Sequence, residues 1–170
     1  MGSPLRIMRR EDLSSVLEWR NRPEVRSCML TQHEIRWDEH CAWFERASRD
    51  PRKRLFIFEQ EGSLGFAHLS CINATVAEWG FYLAAGAKKG AGTLLGLATL
   101  RYAFETLALH KVAGQALADN SRSIALHHKL GFRREGELRD HHFDGERHCT
   151  LLCFGLLQQE WCEKWVGQNE

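Results

Sequence analysis

Residues 77–132 constrain this chain more than any other stretch, reading AEWGFYLAAGAKKGAGTLLGLATLRYAFETLALHKVAGQALADNSRSIALHHKLGF. An apolar run over 79–85 leads into Gly86-Ala87-Lys88-Lys89-Gly90-Ala91-Gly92, and this loop opens directly into a long amphipathic segment. A second apolar run follows, then Asn120, then a short helical pattern that stops at Gly131. The order is strand, glycine-rich turn, helix, strand, helix. A glycine turn at a helix N-terminus bares backbone N–H groups where the helix dipole is positive, and so suits a phosphate or pyrophosphate.

The elements before this centre read as supports. Residues 5–8 alternate as a first strand, and Asp12 can cap a helix carrying Leu13, Val16, Leu17 and Trp19 at helical spacing until Pro23 interrupts it. Arg20, Arg22 and Arg26 follow as three arginines around that break. Solvated surface charge is their ordinary role, and a grip on a phosphate-bearing molecule is the chemical alternative. Thr31-Gln32-His33-Glu34 has the capping-box pattern ahead of a helix over 35–47. Trp37, His40, Trp43 and Phe44 share one face of that helix, as a core stripe or as a stacking surface for a planar base. Residues 55–59, 64–72 and 76–83 read as three strands joined by short turns, an antiparallel meander.

After the glycine loop the pattern predicts a helix over 91–109 with Leu94, Leu97, Ala98, Phe104 and Leu107 on its apolar stripe. A strand over 111–118 can then lie parallel to the strand at 76–83, because a helical crossover separates them. Asn120 caps a helix over 121–130, and Gly131 ends it. Strands over 132–138 and 148–157 flank the Asp144-Gly145 turn, and Trp161 and Trp165 close an aromatic terminus. Those two tryptophans suit either a core or a dimer contact, so monomer and homodimer both stay open.

Composition excludes several classes. Lys+Arg number 23 against Asp+Glu 22, a net charge of +1 that gives no nucleic-acid footprint. No apolar run reaches the ~20 residues of a membrane span, and residues 1–12 lack an apolar signal core, so a cytoplasmic protein without a membrane partner is expected. The six cysteines form no CxxC pair and are expected to be reduced and mostly buried. His141, His142, His148 and Cys149 cluster about one hairpin, but tight metal sites pair ligands at short fixed spacings, so no metal is expected. The glycine loop lacks GxxxxGK[ST] and GxGxxG, so it is neither a nucleotide-triphosphatase loop nor a dinucleotide fingerprint.

The order of elements, the Lys88-Lys89-Gly90-Ala91-Gly92 loop and the segment Asn120-x-x-Ser123-Ile124-x-Leu126-His127-x-Lys129-Leu130-Gly131-Phe132 resemble the GNAT acetyltransferases. Trp19-Arg20-Asn21, Val25-Arg26, His40-x-x-Trp43, Trp79-Gly80-Phe81-Tyr82 and His142-Phe143-Asp144-Gly145 are similar to the PseH family of bacterial pseudaminic-acid synthesis. The resemblance implies one α/β domain over 1–170: a mixed, mostly antiparallel sheet of about seven strands flanked by about four helices, splayed between its two central parallel strands. It implies acetyl transfer from acetyl-CoA to the 4-amino group of UDP-4-amino-4,6-dideoxy-N-acetyl-altrosamine, a precursor of sugar for flagellin and surface glycans.

By the same resemblance, the CoA pyrophosphate would sit on the amides of Lys88, Lys89, Gly90, Ala91, Gly92 and Thr93. Pantetheine would pair with the backbone of Phe81 and Leu83, and Asn120 and Ser123 would touch the cofactor. Arg20, Arg26, His40, Trp43 and Tyr82 would form the UDP-sugar side. Glu78 would act as base and His127 as the acid that protonates the leaving thiolate. The chain departs from the GNAT pattern twice: Ala87 stands where Arg or Gln usually begins the loop, and His127 where a Tyr is common. A GNAT acting on a protein N-terminus or another small amine, and a catalytically silent CoA-binding module, are the alternatives.

Overall fold

A computed structural model describes residues 2–167 of the chain. The described residues form one seven-stranded sheet in the order β1-β2-β3-β4-β5-β7-β6. The strands are β1 (Leu5–Ile7), β2 (Lys53–Gln60), β3 (Ser63–Cys71), β4 (Val76–Leu83), β5 (Lys111–Leu117), β6 (Arg133–Phe143) and β7 (His148–Leu157). The helices are α1 (Leu13–Asn21), α2 (Pro23–Arg26), α3 (Trp37–Arg49), α4 (Ala91–Arg101), α5 (Ser121–Leu130) and α6 (Gln158–Trp161). All neighbouring strands are antiparallel except β4 and β5. The parallel pair is joined through α4, as a parallel connection requires.

Each face of the sheet has its own core. Leu95, Leu100 and Leu130 of α4 and α5 pack with Trp79, Val112, Phe154 and Trp161 on one face. Val16, Trp19 and Phe44 of α1 and α3 pack with Leu55, Ile57 and Phe66 on the other. Trp161 is 1% exposed and packs against Phe104, so it serves the core. Alternation along β4 divides its side chains between the cores: Ala77, Trp79 and Phe81 join the α4/α5 side and Tyr82 the α1/α3 side.

The prediction for α5 holds at both ends, because Asn120 Oδ1 accepts the Ser123 N–H and Gly131 adopts φ +104°. Other boundaries moved. The predicted helix at 35–47 begins at Trp37, and Thr31–Glu34 does not cap it. Asn21 ties Ile35 outside the helix instead: its Oδ1 accepts the Ile35 N–H and its Nδ2 donates to the Ile35 carbonyl, both at 2.8 Å. Asp12 does not cap α1; it accepts the Arg9 N–H at 2.7 Å and pairs with Arg6. Pro23 ends α1 by opening α2 at its first turn. The long central helix leaves α geometry at Tyr102, where a π-helical segment runs to Thr106. The cysteines are free, but Cys28 and Cys162 are exposed and the other four only partly buried, so mostly buried thiols is corrected.

Candidate active site

Strands β4 and β5 pair only at Val76–Lys111, Ala77–Val112 and Glu78–Ala113. Beyond Glu78 they part, although β4 stays paired with β3 as far as Leu83. Hydrogen-bond parity shows what this opening offers. Ala84 N–H donates to Leu64 and Ile72 N–H to the Val76 carbonyl, so even-numbered residues of β4 bond to β3. The carbonyl of Thr75 accepts from His110 and Lys111, so odd-numbered residues turn toward β5. The backbone groups of Phe81 and Leu83 therefore face the splay. One is occupied: the Leu83 carbonyl accepts Arg22 Nη1 at 3.0 Å.

The glycine loop lies at the open end of β4. Gly90, at φ +90°, is the N-cap of α4. The first helical bond is Leu94 N–H to the Gly90 carbonyl, and Ala91 N–H donates back to Lys88. The amides of Lys89, Gly90, Gly92 and Thr93 have no acceptor among the described residues. They are the unpaired donors that an anion at a helix N-terminus would satisfy. Lys88 differs from the expectation, since its N–H donates to buried Ser63 Oγ at 3.0 Å and so fastens the loop to β3. Ala91 N–H is likewise spent. The side chains of Lys88 and Lys89 are exposed.

A cleft of about 850 Å³ runs through the splay. Its one end is lined by Phe81, Leu83, Gly92, Asn120, Ser123 and His127, and its other by Arg20, Arg22, His40, Trp43, Phe66 and Tyr82. The free amides, the open β4 edge and the capped start of α5 fit a long acyl carrier with an anionic head. Asn120 spends its side-chain oxygen on its cap, leaving the amide nitrogen for a ligand.

On the acceptor side, His40 and Trp43 stack at 5.3 Å, and Tyr82 stacks on Phe66 at 5.0 Å. His40 is 3% exposed and donates Nε2–H to the Leu13 carbonyl at 2.9 Å; burial lowers its pKa against that bond. Burial raises the Tyr82 pKa, opposed by nearby Arg20, so the phenol stays protonated. Arg20 donates Nη2–H to the Thr31 carbonyl, while its Nη1 is buried without a partner among the described residues. Arg26 is not on the cleft wall. It turns to the Gln32 carbonyl and lies 4.0 Å from Glu34, so the expected contact with an acceptor is not made in this arrangement.

The structure places His127 inside the core and Glu78 beside, not on, the main cleft. His127 is 2% exposed, and its Nδ1–H donates to the Ser123 carbonyl at 2.7 Å. Its Nε2 accepts the indole N–H of Trp79 at 3.1 Å, and its ring stacks on Phe154. Burial lowers its pKa, ahead of the opposing bond to Ser123. A neutral ring with its only N–H given to a carbonyl holds no proton for a thiolate, and the arrangement fits a brace for Trp79. Glu78 is exposed and lines a smaller adjoining cavity of about 170 Å³ rather than the main cleft.

His68 lines both cavities and was missed by sequence reasoning. It lies on β3 directly opposite Gly80. The available signal was the pairing itself: aligning 64–72 against 76–83 puts the single histidine of one strand across from the single glycine of the other.

Comparison with known proteins agrees with this geometry. The acetyltransferase (GNAT) domain family matches residues 4–133, well over half of the chain. The chain is a GNAT acetyltransferase. It is 27% identical over 145 residues to the acetyltransferase PseH of Campylobacter jejuni, covering 84% of this chain and 91% of that protein. It is 26% identical over 166 residues to the spermidine N(1)-acetyltransferase of Vibrio cholerae, covering 94% and 95%. The crystal structure of spermidine N-acetyltransferase from Vibrio cholerae in complex with CoA and spermine superposes with a TM-score of 0.84 at 26% identity, over 92% of this chain and 96% of that one. This GNAT enzyme transfers acetyl from acetyl-CoA to an amine. Among the described residues there is no group of three or more His, Cys, Asp or Glu side chains able to hold a metal, and no helix long and apolar enough to cross a membrane.

Proposed function

We propose that the amine is the 4-amino group of a UDP-linked 4-amino-4,6-dideoxy sugar, of the kind used in pseudaminic-acid synthesis. The observation that carries this reading is the charge of the acceptor side. Arg20, Arg22, Arg46 and Lys53 line it against Glu24 and Glu39, and Arg20 keeps a buried guanidinium nitrogen unspent. A cationic wall attracts a diphosphate, which Arg can grip with paired N–H donors, and repels a polyamine. The similarity to PseH supports the same choice. The similarity to spermidine acetyltransferase supports the fold and the donor, but its acceptor would meet this wall with like charge.

In this reading Arg20 and Arg22 hold the diphosphate. The His40–Trp43 shelf stacks the uracil, and Tyr82 orients the sugar. The amides of Lys89, Gly90, Gly92 and Thr93 hold the CoA pyrophosphate, with Lys88 and Ala91 shaping the loop. Phe81 N–H, turned into the splay, stabilises the oxyanion formed when the amine attacks the thioester. Proximity supplies much of the rate, since two substrates are brought together from opposite ends of one cleft. The test is a thiol-release assay with acetyl-CoA and three acceptors: the UDP-4-amino sugar, spermidine, and a peptide bearing a free N-terminus. The reading expects release with the amino sugar and a product heavier by one acetyl group. Release with spermidine or peptide alone refutes it.

A further inference from the structure

We propose that His68 receives the proton of the attacking amine. This inference rests on amine acetylation in this cleft and is independent of which amine is used. His68 sits opposite Gly80, at the point where β4 has just separated from β5 after Glu78. Its ring lies so close over Gly80 that a methyl group there would collide with Nε2. Gly80 precedes Phe81, whose N–H faces the splay. The imidazole is therefore held beside the reaction centre, on the α1/α3 side from which the acceptor enters.

Neither ring nitrogen of His68 has a hydrogen-bond partner among the described residues. The other two histidines on the cleft spend theirs on the fold, His40 on Leu13 and His127 on Trp79 and Ser123. With neither nitrogen spent on the fold, a neutral imidazole on the cleft wall can accept a hydrogen bond from a bound molecule, and an amine nitrogen is such a donor. Of the charged groups that line the same two cavities, Lys53 of β2 is the one whose charge acts on the His68 ring. Burial, then the charge of Lys53, pushes the His68 pKa down to about 4, so the ring is neutral and open as an acceptor at physiological pH.

A base this weak is sufficient if it acts after attack begins. The neutral amine forms its N–C bond to the acetyl carbon, and the nitrogen becomes far more acidic as it takes positive charge. His68 Nε2 takes that proton while the C–S bond breaks and the electron pair leaves with sulfur. The proton then passes through solvent to the CoA thiolate, and the ring returns to its neutral state. Amide and free thiol are the only products.

The experiment compares His68→Gln and His68→Ala with the native chain on whichever amine of the panel is acetylated, with acetyl-CoA affinity and thermal midpoint measured alongside. The expected result is a kcat lowered by about 10²–10⁴-fold, with KM for acetyl-CoA little changed. Free imidazole should restore part of the activity of His68→Ala in proportion to its unprotonated fraction, which a purely structural histidine would not allow. A kcat within about threefold of native, a loss confined to KM, or a loss in Glu78→Gln larger than in His68→Gln overturns the proposal. Turnover of spermidine but not of the amino sugar sinks the sugar assignment while leaving this test readable. If no amine of the panel is acetylated, both fall.

Discussion

Replacing His127 by Phe separates a structural brace from a proton donor. In the fold, His127 Nε2 accepts the Trp79 indole N–H at 3.1 Å inside the core, and no other acceptor for that indole is present among the described residues. Phenylalanine removes the acceptor and leaves a buried donor unpaired, a cost of about 1–3 kcal/mol. Its larger ring must also fit where a methyl group at Gly114 would already stand 2.6 Å from His127 Nε2 and 2.7 Å from Trp79 Nε1. Overpacking of this kind adds about 1–3 kcal/mol. The sum, about 2–6 kcal/mol, corresponds to a thermal midpoint lower by roughly 4–24 °C for a domain of this length. Activity measured well below that midpoint should retain kcat within about fivefold, whereas removal of a proton donor would cost about 10²–10⁴-fold. Differential scanning calorimetry and steady-state kinetics on one preparation decide the matter. An unchanged midpoint with a hundredfold loss of kcat, on the scale of about 10²–10⁴ for a lost acid, would refute the bracing role.

Other outcomes follow from the same geometry. Arg20→Met should raise KM for an anionic acceptor by about 10–100-fold with kcat nearly constant, because the lost contact serves binding; an unchanged KM contradicts the diphosphate assignment. Ser63→Ala removes the acceptor of the Lys88 N–H, so the chain should lose about 1–3 kcal/mol and bind acetyl-CoA more weakly. Urea titration and calorimetric binding check the two effects. Stability should fall on acidification, because His40, His68 and His127 all have folded pKa values below the ordinary 6.5. The unfolded chain then takes up protons first as pH drops through 6.5, and the loss continues to about 4, the folded value at His68. A urea midpoint that stays level across that window would show that these rings are not held neutral.

Much of the scaffold could be read locally. Asn120 and Gly131 mark the ends of α5 because cap geometry depends on residues within one turn of each other. The glycine loop announced a bared helix N-terminus for the same reason, and Gly90 does take the left-handed conformation there. The meander and the parallel crossover followed from strand period and connection length. The acceptor side was less legible. Arg20 and Arg26 are both arginines near one helix break, yet only Arg20 faces the cleft, because Arg26 is turned aside toward Gln32 and Glu34. The helix expected at 35 starts late because Asn21, fourteen positions upstream of Ile35, takes up both backbone groups of that residue.

By itself, then, the sequence determined the order of elements, the bared helix N-terminus after the glycine turn and the two ends of α5. Each of these rests on chemistry within a few residues of its own position. Only the tertiary structure decided which groups are spent and which are free. The Lys88 amide is closed by Ser63, and His127 is occupied by Trp79 and Ser123. His68 stays unpaired over Gly80. Those outcomes depend on strand register and on which side chain reaches a buried donor first. Both are set by packing between elements distant in the chain, where a single-residue slip would carry His68 to the opposite face of the sheet.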